Sequence, residues 1–198
     1  MRSALALVGF SCTLVGLPLC AHAQSTIRQP GNRPHYSFEL EPELVLGPFE
    51  PPGAQAGDGY GAGVRGTIEI APDGFLPKLN DSVGIGFGFD YLSYPSDPRG
   101  ECTQFVAGAA GTRVCTATSG GSAAYLYFPV VLQWNFWLHR KWSVFGEPGV
   151  ALYYHRQRGL DFSPFVIEAG GRYHFSDAVA LTLRVGYPMV SLGVSFLL

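Results

Sequence analysis

The stretch that decides the fold reads 123-AAYLYFPVVLQWNFWLH-139 and continues, after two basic residues, as 142-WSVFGEPGVALYY-154. Apolar side chains recur at every second position in both halves, a period that belongs to a β-strand, whereas a helix repeats every 3.6 residues or so. One face holds Leu126, Phe128, Val130, Leu132, Trp134 and Phe136, then Val144, Val150, Leu152 and Tyr154; the other holds Tyr127, Gln133 and Asn135, then Ser143, Glu147, Gly149 and Ala151. The stretch therefore predicts two long antiparallel strands joined by a tight turn at 139–141.

The same alternation recurs along the whole chain after residue 35, in segments of about ten residues separated by turn-forming residues. No segment has the spacing of a helix. Eight strands are predicted, at Tyr36–Gly47, Tyr60–Ile70, Ser82–Tyr91, Ala123–Trp137, Trp142–Tyr154, Phe165–Phe175, Val179–Tyr187 and Met189–Leu197. Pro188 interrupts the pattern between the last two segments.

The first residues have the features of an export signal. Arg2 precedes an apolar run that ends in Ala21-His22-Ala23, which predicts cleavage before Gln24. Residues 1–23 are therefore interpreted as a signal peptide, 24–35 as a short N-terminal periplasmic segment and 36–198 as the folded domain. The remaining chain has no uninterrupted apolar run near the ~20 residues of a helical span. The net charge of −2 offers no basic surface for nucleic acid.

The predicted connections alternate in length. The links after strands one, three and five are long or irregular, whereas 139–141 and 176–178 are tight, and 71–81 is the one longer turn on that side. The longest connection, 92–122, contains Cys102 and Cys115, the two cysteines that remain after Cys12 and Cys20 leave with the signal. Export to an oxidising compartment predicts that these two form a disulfide.

The composition of the polar face decides between a soluble and a membrane barrel. Soluble barrels turn their apolar face inward and present a charged face to water. Here the chain is 47% hydrophobic and only 14% charged, and the polar face is rich in glycine and serine, which suits a crowded interior. Its charges have both signs and are predicted to form an ion-pair network in the lumen, comprising Glu39, Glu41, Glu43, Arg65, Glu69, Asp90, Glu147, Glu168, Arg172 and Arg184.

The chain resembles the small OmpA/OmpX-type outer-membrane β-barrels of Gram-negative bacteria in its export signal, its eight alternating segments and its final strand, 189-MVSLGVSFLL-198. The resemblance covers nearly all of the exported chain and implies a single eight-stranded antiparallel up-and-down transmembrane β-barrel, all-β in class. It also implies recognition of a terminal aromatic residue by the barrel-assembly machinery; here Leu197 and Leu198 follow Phe196, a departure from that pattern. Aromatic residues predicted near the membrane interfaces are Tyr36, Tyr60, Tyr91, Trp142, Tyr154, Tyr173, Phe175, Tyr187 and Phe196.

Motifs for catalysis or cofactors are weak. The run 61-GAGVRG-66 matches a dinucleotide fingerprint but is followed by a strand and a turn instead of a helix, so no cofactor is expected. The histidines His35, His139, His155 and His174 are not expected to converge on a metal, and His174 is placed in the lumen near Arg172 or Glu168. His155, Asp161 and Ser163 form the only candidate catalytic cluster, in a loop where such coincidences are common, so no catalytic residue is assigned.

The sequence thus predicts a non-enzymatic outer-membrane protein with a structural or surface-interaction role and a lumen plugged by side chains. A small passive channel or porin is the alternative, followed by a lipid-modifying enzyme. Lipid and lipopolysaccharide are the expected partners. The surface-loop candidates are His155, Arg156 and Arg158, and the two arginines either contact lipopolysaccharide phosphates or are ordinary solvated residues. The barrel is expected to be a monomer, and the sequence names no extracellular ligand.

Overall fold

A computed structural model describes residues 26–48, 58–94, 101–107, 113–119, 123–155 and 159–198. Within these ranges a 3₁₀ turn at Thr26–Arg28 precedes ten strands. The strands are β1 (Phe38–Gly47), β2 (Gly59–Ala71), β3 (Asp81–Tyr94), β4 (Glu101–Ala107), β5 (Arg113–Ser119), β6 (Ala123–His139), β7 (Trp142–His155), β8 (Gly159–His174), β9 (Val179–Tyr187) and β10 (Val190–Leu197). No helix in these ranges is both long enough and apolar enough to cross a membrane.

Eight of the strands close into a barrel in the order β1-β10-β9-β8-β7-β6-β3-β2. Every neighbouring pair is antiparallel, including the β1–β10 pair that joins the two ends of the chain, where Glu43 lies opposite Gly193. The predicted all-β, eight-stranded up-and-down barrel is confirmed. Closure leaves no barrel strand with an unpaired edge, which is the condition for strands to lie in lipid.

Most predicted strand boundaries lie within three residues of the observed ones, but two regions differ more. The connection 92–122 was predicted as a loop, but β4 and β5 form a two-stranded hairpin within it; its threonine and valine residues were the missed signal. The sixth predicted segment began at Phe165, whereas β8 begins at Gly159. The register of β7 and β8 shifts between Gly149 and Ala151. Since Pro164 cannot donate a ladder hydrogen bond, a bulge at this point accommodates it and breaks the alternation.

The two faces of the barrel differ sharply in chemistry. Val130 and Leu183 on the outside are 50% and 49% exposed, whereas Glu41 and Arg184 on the inside are each 1% exposed. A water-soluble barrel has the opposite arrangement. The apolar side chains therefore face outward and the charged side chains point into the interior.

Glycines on the inner face make room for the large side chains of the lumen. A Cβ atom on Gly88 would lie 2.8 Å from Arg65 Cδ, and one on Gly193 would lie 2.8 Å from Glu41 Cγ. Both distances are well inside van der Waals contact. Small residues on one strand thus allow long charged residues on the next strand to cross the barrel, as close packing of an eight-stranded interior requires.

Candidate functional site: the charged lumen

The first strand supplies a row of inward carboxylates along the barrel. Glu39, Glu41 and Glu43 alternate with outward residues and are between 1% and 4% exposed. Because the strand rises about 3.3 Å per residue, successive inward residues lie on the order of 7 Å apart. The row therefore defines three layers of charge, numbered here from the end of the barrel at which β1 begins and β10 ends.

The first layer joins β1 to β8. Arg172 donates from Nε and Nη2 to the two carboxylate oxygens of Glu39, at 3.1 and 2.9 Å, in a bidentate pair. Its remaining Nη1 donates to Asn135 Oδ1 at 2.6 Å. Paired geometry of this kind gives both strength and a fixed orientation.

The second layer is centred on Arg184 of β9. This side chain donates from Nη2 to Glu41 Oε2 and from Nε to Glu147 Oε2, both at 2.9 Å. Gln133 donates to the second oxygen of Glu147 at 2.7 Å, and Ser195 donates to Glu41 at 2.9 Å. Four strands besides β9 therefore converge on one guanidinium group and its two carboxylates.

The third layer places one guanidinium among three carboxylates. Arg65 donates from Nε to Glu43 at 2.9 Å, from Nη1 to Glu168 at 3.0 Å and from Nη2 to Asp90 at 3.2 Å. Arg184 reaches up from the second layer to the other oxygen of Glu43 at 3.2 Å. The second and third layers are thus one continuous hydrogen-bonded cluster.

Phe145 stacks between the arginines of the first two layers. The Arg172 and Arg184 guanidinium carbons lie 4.2 and 5.2 Å from the centre of its ring. The ring face carries partial negative charge, which stabilises a nearby cation. An aromatic side chain of this size also fills lumen volume that the charged groups leave open.

Glu69 lies apart from this cluster. Its carboxylate pairs with Arg33, with Nη2 to Oε2 and Nη1 to Oε1 both at 2.9 Å. Arg33 belongs to the segment before β1 and lies 5.9 Å from the Tyr36 ring and 5.8 Å from the Trp137 ring. Sequence reasoning missed Arg33 because no strand pattern surrounds it.

The segment before β1 is fastened beneath the first layer. Asn80 donates its backbone N–H to Ile27 O at 2.7 Å and its side chain to Asn32 O at 3.0 Å. Tyr36 was predicted as an interface aromatic, but it is 8% exposed and packs inside against Trp137. This end of the lumen is therefore covered by aromatic rings and by residues from before the first strand.

The opposite end of the lumen is lined by tyrosines that sequence reasoning mostly missed. Tyr127 was placed on the inner face, and Tyr153 lies against it with ring centres 5.9 Å apart. Met189 connects this layer to the charges, since its sulfur lies 3.9 Å from Arg65 Nη2. The buried cluster consists of Val45, Leu92, Tyr94, Tyr125, Tyr127, Tyr153 and Met189. The strict alternation of inward residues on β6 was the available signal.

The candidate catalytic residues lie on β7 and β8, near the connection between these two strands. His155 points inward and stacks on Tyr125 with ring centres 4.5 Å apart. Asp161 accepts a hydrogen bond from Tyr153 Oη at 3.0 Å, and Ser163 donates to the Phe165 carbonyl at 3.1 Å. Each of the three side chains thus contacts a different neighbour.

The remaining predicted residues are placed as follows. His174 lies at the first-layer end of the lumen, with Nε2 2.9 Å from Ser143 Oγ and its ring 5.2 Å from Trp137. Arg156 and Arg158 lie outside the described residues. The side chains of Cys102 and Cys115 also lie outside them; their backbone positions pair with Thr118 and Phe105, and the disulfide stays a prediction. Within the described ranges, no three His, Cys, Asp or Glu side chains form a group that could hold a metal.

The structure is similar to two solved structures of the outer membrane protein Ail of Yersinia pestis. The first, its backbone structure in a phospholipid bilayer nanodisc, is 12% identical over 82% of this chain and 99% of that chain, with a TM-score of 0.42. The second, Ail in complex with the heparin analogue sucrose octasulfate, is 11% identical over 81% of this chain and 97% of that chain, with a TM-score of 0.39. The sequence matches no protein-family profile and no curated protein.

Proposed function

We propose that this chain is an integral outer-membrane β-barrel protein with a structural or surface-interaction role, whose lumen is closed by its own side chains. The observation that carries the proposal is the buried set of ion pairs between Arg65, Arg172 and Arg184 and six carboxylates on β1, β3, β7 and β8. In a narrow barrel, groups held by direct hydrogen bonds across the lumen occupy the space that water and ions would need.

The membrane assignment rests on the exterior and on the connections. Six of the eight barrel strands have ten or more residues, enough for a tilted strand to span a hydrocarbon layer of about 30 Å. Short turns at 140–141 and 175–178 lie on the side where β1 begins and β10 ends, and the connection from Tyr94 to Ala123 leaves the other side. Bacterial outer-membrane barrels keep short turns in the periplasm and long loops outside the cell.

The surface role rests on the loops, since a rigid barrel that presents a long external connection is suited to contacts outside the cell. The β4–β5 hairpin extends this connection, and the predicted Cys102–Cys115 disulfide would hold it in shape. We propose a non-enzymatic role, in support of which His155, Asp161 and Ser163 each contact a different neighbour. We further propose a monomer that the barrel-assembly machinery inserts after signal cleavage before Gln24, and lipopolysaccharide contacts through Arg156 and Arg158.

Membrane insertion is tested by fractionation. When the chain is expressed with its first 23 residues, we expect a processed protein in the outer-membrane fraction that migrates faster on a gel before boiling than after. Compact migration is expected because a closed barrel resists detergent until it is heated. A soluble periplasmic protein without this shift would overturn the membrane assignment.

Closure of the lumen is tested by conductance. In planar bilayers the purified barrel is expected to give no discrete current steps, because the Arg184 and Arg65 clusters cross the interior. A general porin in the same bilayers serves as the positive control. Regular current steps that change when Arg65 or Glu147 is neutralised would reject the closed lumen and establish the passive channel.

A further inference from the structure

Two turns at the end of the barrel where β1 begins and β10 ends form a cleft with opposite charges on its two walls. The cleft has a volume of about 450 Å³ and lies between the β6–β7 turn, which carries Arg140 and Lys141, and the β8–β9 turn, which carries Asp177. His174 at the end of β8 donates its backbone N–H to the Lys141 carbonyl at 2.9 Å. The two turns are thereby held side by side at a fixed distance.

The charges of the cleft face solvent. Arg140, Lys141 and Asp177 are all exposed, and within the part of the chain that the structure describes none of them takes part in a salt bridge. Two cations on one wall suit a phosphate, and a carboxylate on the other suits an ammonium group. The arrangement is complementary to a ligand that carries both groups.

The cleft borders an exposed aromatic band. Trp142 and Phe175 are 53% and 63% exposed, and Tyr173 lies between them, with ring centres 4.9 Å from Trp142 and 5.3 Å from Phe175. Phe175 also lines the cleft itself. Aromatic rings in such positions mark the level of lipid headgroups in membrane proteins. An occupant of the cleft is therefore at the depth of a phospholipid headgroup, with its acyl chains along the apolar barrel wall.

From this geometry we propose that the cleft binds the headgroup of an inner-leaflet phospholipid that carries both a phosphate and a primary ammonium group, as phosphatidylethanolamine does. This inference rests on the proposed membrane insertion. Arg140 and Lys141 bind the phosphate, and Asp177 accepts hydrogen bonds from the ammonium. Phosphatidylglycerol can bind Arg140 and Lys141 through its phosphate, but it has no ammonium group for Asp177. Phosphatidylcholine has a trimethylated ammonium, which has no N–H to donate to Asp177.

The test is a competition between lipids. The purified, folded barrel is mixed in detergent with equal amounts of phosphatidylethanolamine, phosphatidylglycerol and phosphatidylcholine of identical acyl chains, and bound lipids are counted by native mass spectrometry. Wild-type protein is expected to retain phosphatidylethanolamine about fivefold over each competitor, the ratio that corresponds to one exposed ion pair of about 1 kcal/mol. Asp177→Asn is expected to lower the ratio of bound phosphatidylethanolamine to bound phosphatidylglycerol to about one, while the amount of bound phosphatidylglycerol stays the same.

The cationic wall is tested with a matched control. Arg140→Gln combined with Lys141→Gln is expected to lower binding of phosphatidylethanolamine and phosphatidylglycerol alike by about fivefold or more. Lys78→Gln removes an exposed cation from the β2–β3 turn on the same side and is expected to change neither. Two results would reject lipid binding at the cleft and leave membrane insertion standing. One is a folded, heat-modifiable barrel that shows no lipid preference, and the other is a Lys78→Gln variant that loses as much lipid binding as the Arg140 and Lys141 double variant. A protein that fails the heat shift would instead overturn membrane insertion.

Discussion

Arg65→Met is expected to lower the free energy of unfolding by about 3–5 kcal/mol, the cost of removing one partner from a buried ionic cluster. Arg65 donates to Glu43, Asp90 and Glu168, and the structure buries all three carboxylates. Methionine leaves these negative charges close together in a site with little water. The measurement is urea unfolding of the barrel in lipid vesicles, followed by the loss of the fast-migrating band on a gel.

Two further variants show whether the loss comes from uncompensated charge. Arg28→Met makes the same substitution at an exposed position and is expected to change the free energy of unfolding by less than about 0.5 kcal/mol. In the Arg65→Met background, adding Asp90→Asn and Glu168→Gln is expected to recover most of the lost stability, because two of the stranded charges are removed. A loss below about 1 kcal/mol for Arg65→Met would contradict a desolvated cluster, since only hydrated carboxylates tolerate the removal of their cation so easily.

The barrel and the faces of its strands could be predicted because they depend on local periodicity. In β6, a residue's position alone decides whether it faces lipid or lumen, so Leu132 and Gln133 were placed on their faces without any knowledge of the neighbouring strands. The contents of the lumen followed from the same rule. Glu41 and Arg184 lie on the inward positions of β1 and β9, and an eight-stranded barrel has one narrow interior for them to share.

The pairing of these charges could not be predicted, because it depends on register and on the position of each strand around the barrel. Glu39 and Glu41 are two residues apart, yet they pair with arginines on different strands, Arg172 of β8 and Arg184 of β9. Glu69 pairs with Arg33, which lies before the first strand where no periodic pattern exists. The early start of β8 was hidden for a related reason, since the irregular register near Pro164 breaks the alternation that identifies a strand.

The close approach of the β2 and β3 backbones could not be predicted from the sequence either. It leads to the second large loss of stability that we expect from a single substitution. Gly61→Ala is expected to lower the free energy of unfolding by about 3 kcal/mol, at the upper part of the range for overpacking. A Cβ atom at this position would overlap the Tyr91 carbonyl oxygen, lie 2.8 Å from the Tyr91 carbonyl carbon and 3.1 Å from Leu92 Cα. These atoms are backbone of β3, so they move only if the β2–β3 ladder separates.

Gly146→Ala is the matched control, because it adds the same methyl group in the middle of another barrel strand where nothing lies within 4 Å. It is expected to leave stability unchanged or to raise it by about 0.5–1 kcal/mol through the lower chain entropy of alanine. Both proteins are unfolded in urea in the same lipid vesicles and compared by their midpoints. Equal midpoints would show that β2 and β3 are farther apart at Gly61 than the structure places them. A loss confined to Gly61→Ala would show that the strand spacing at this glycine, and not glycine content in general, sets the local packing of the barrel.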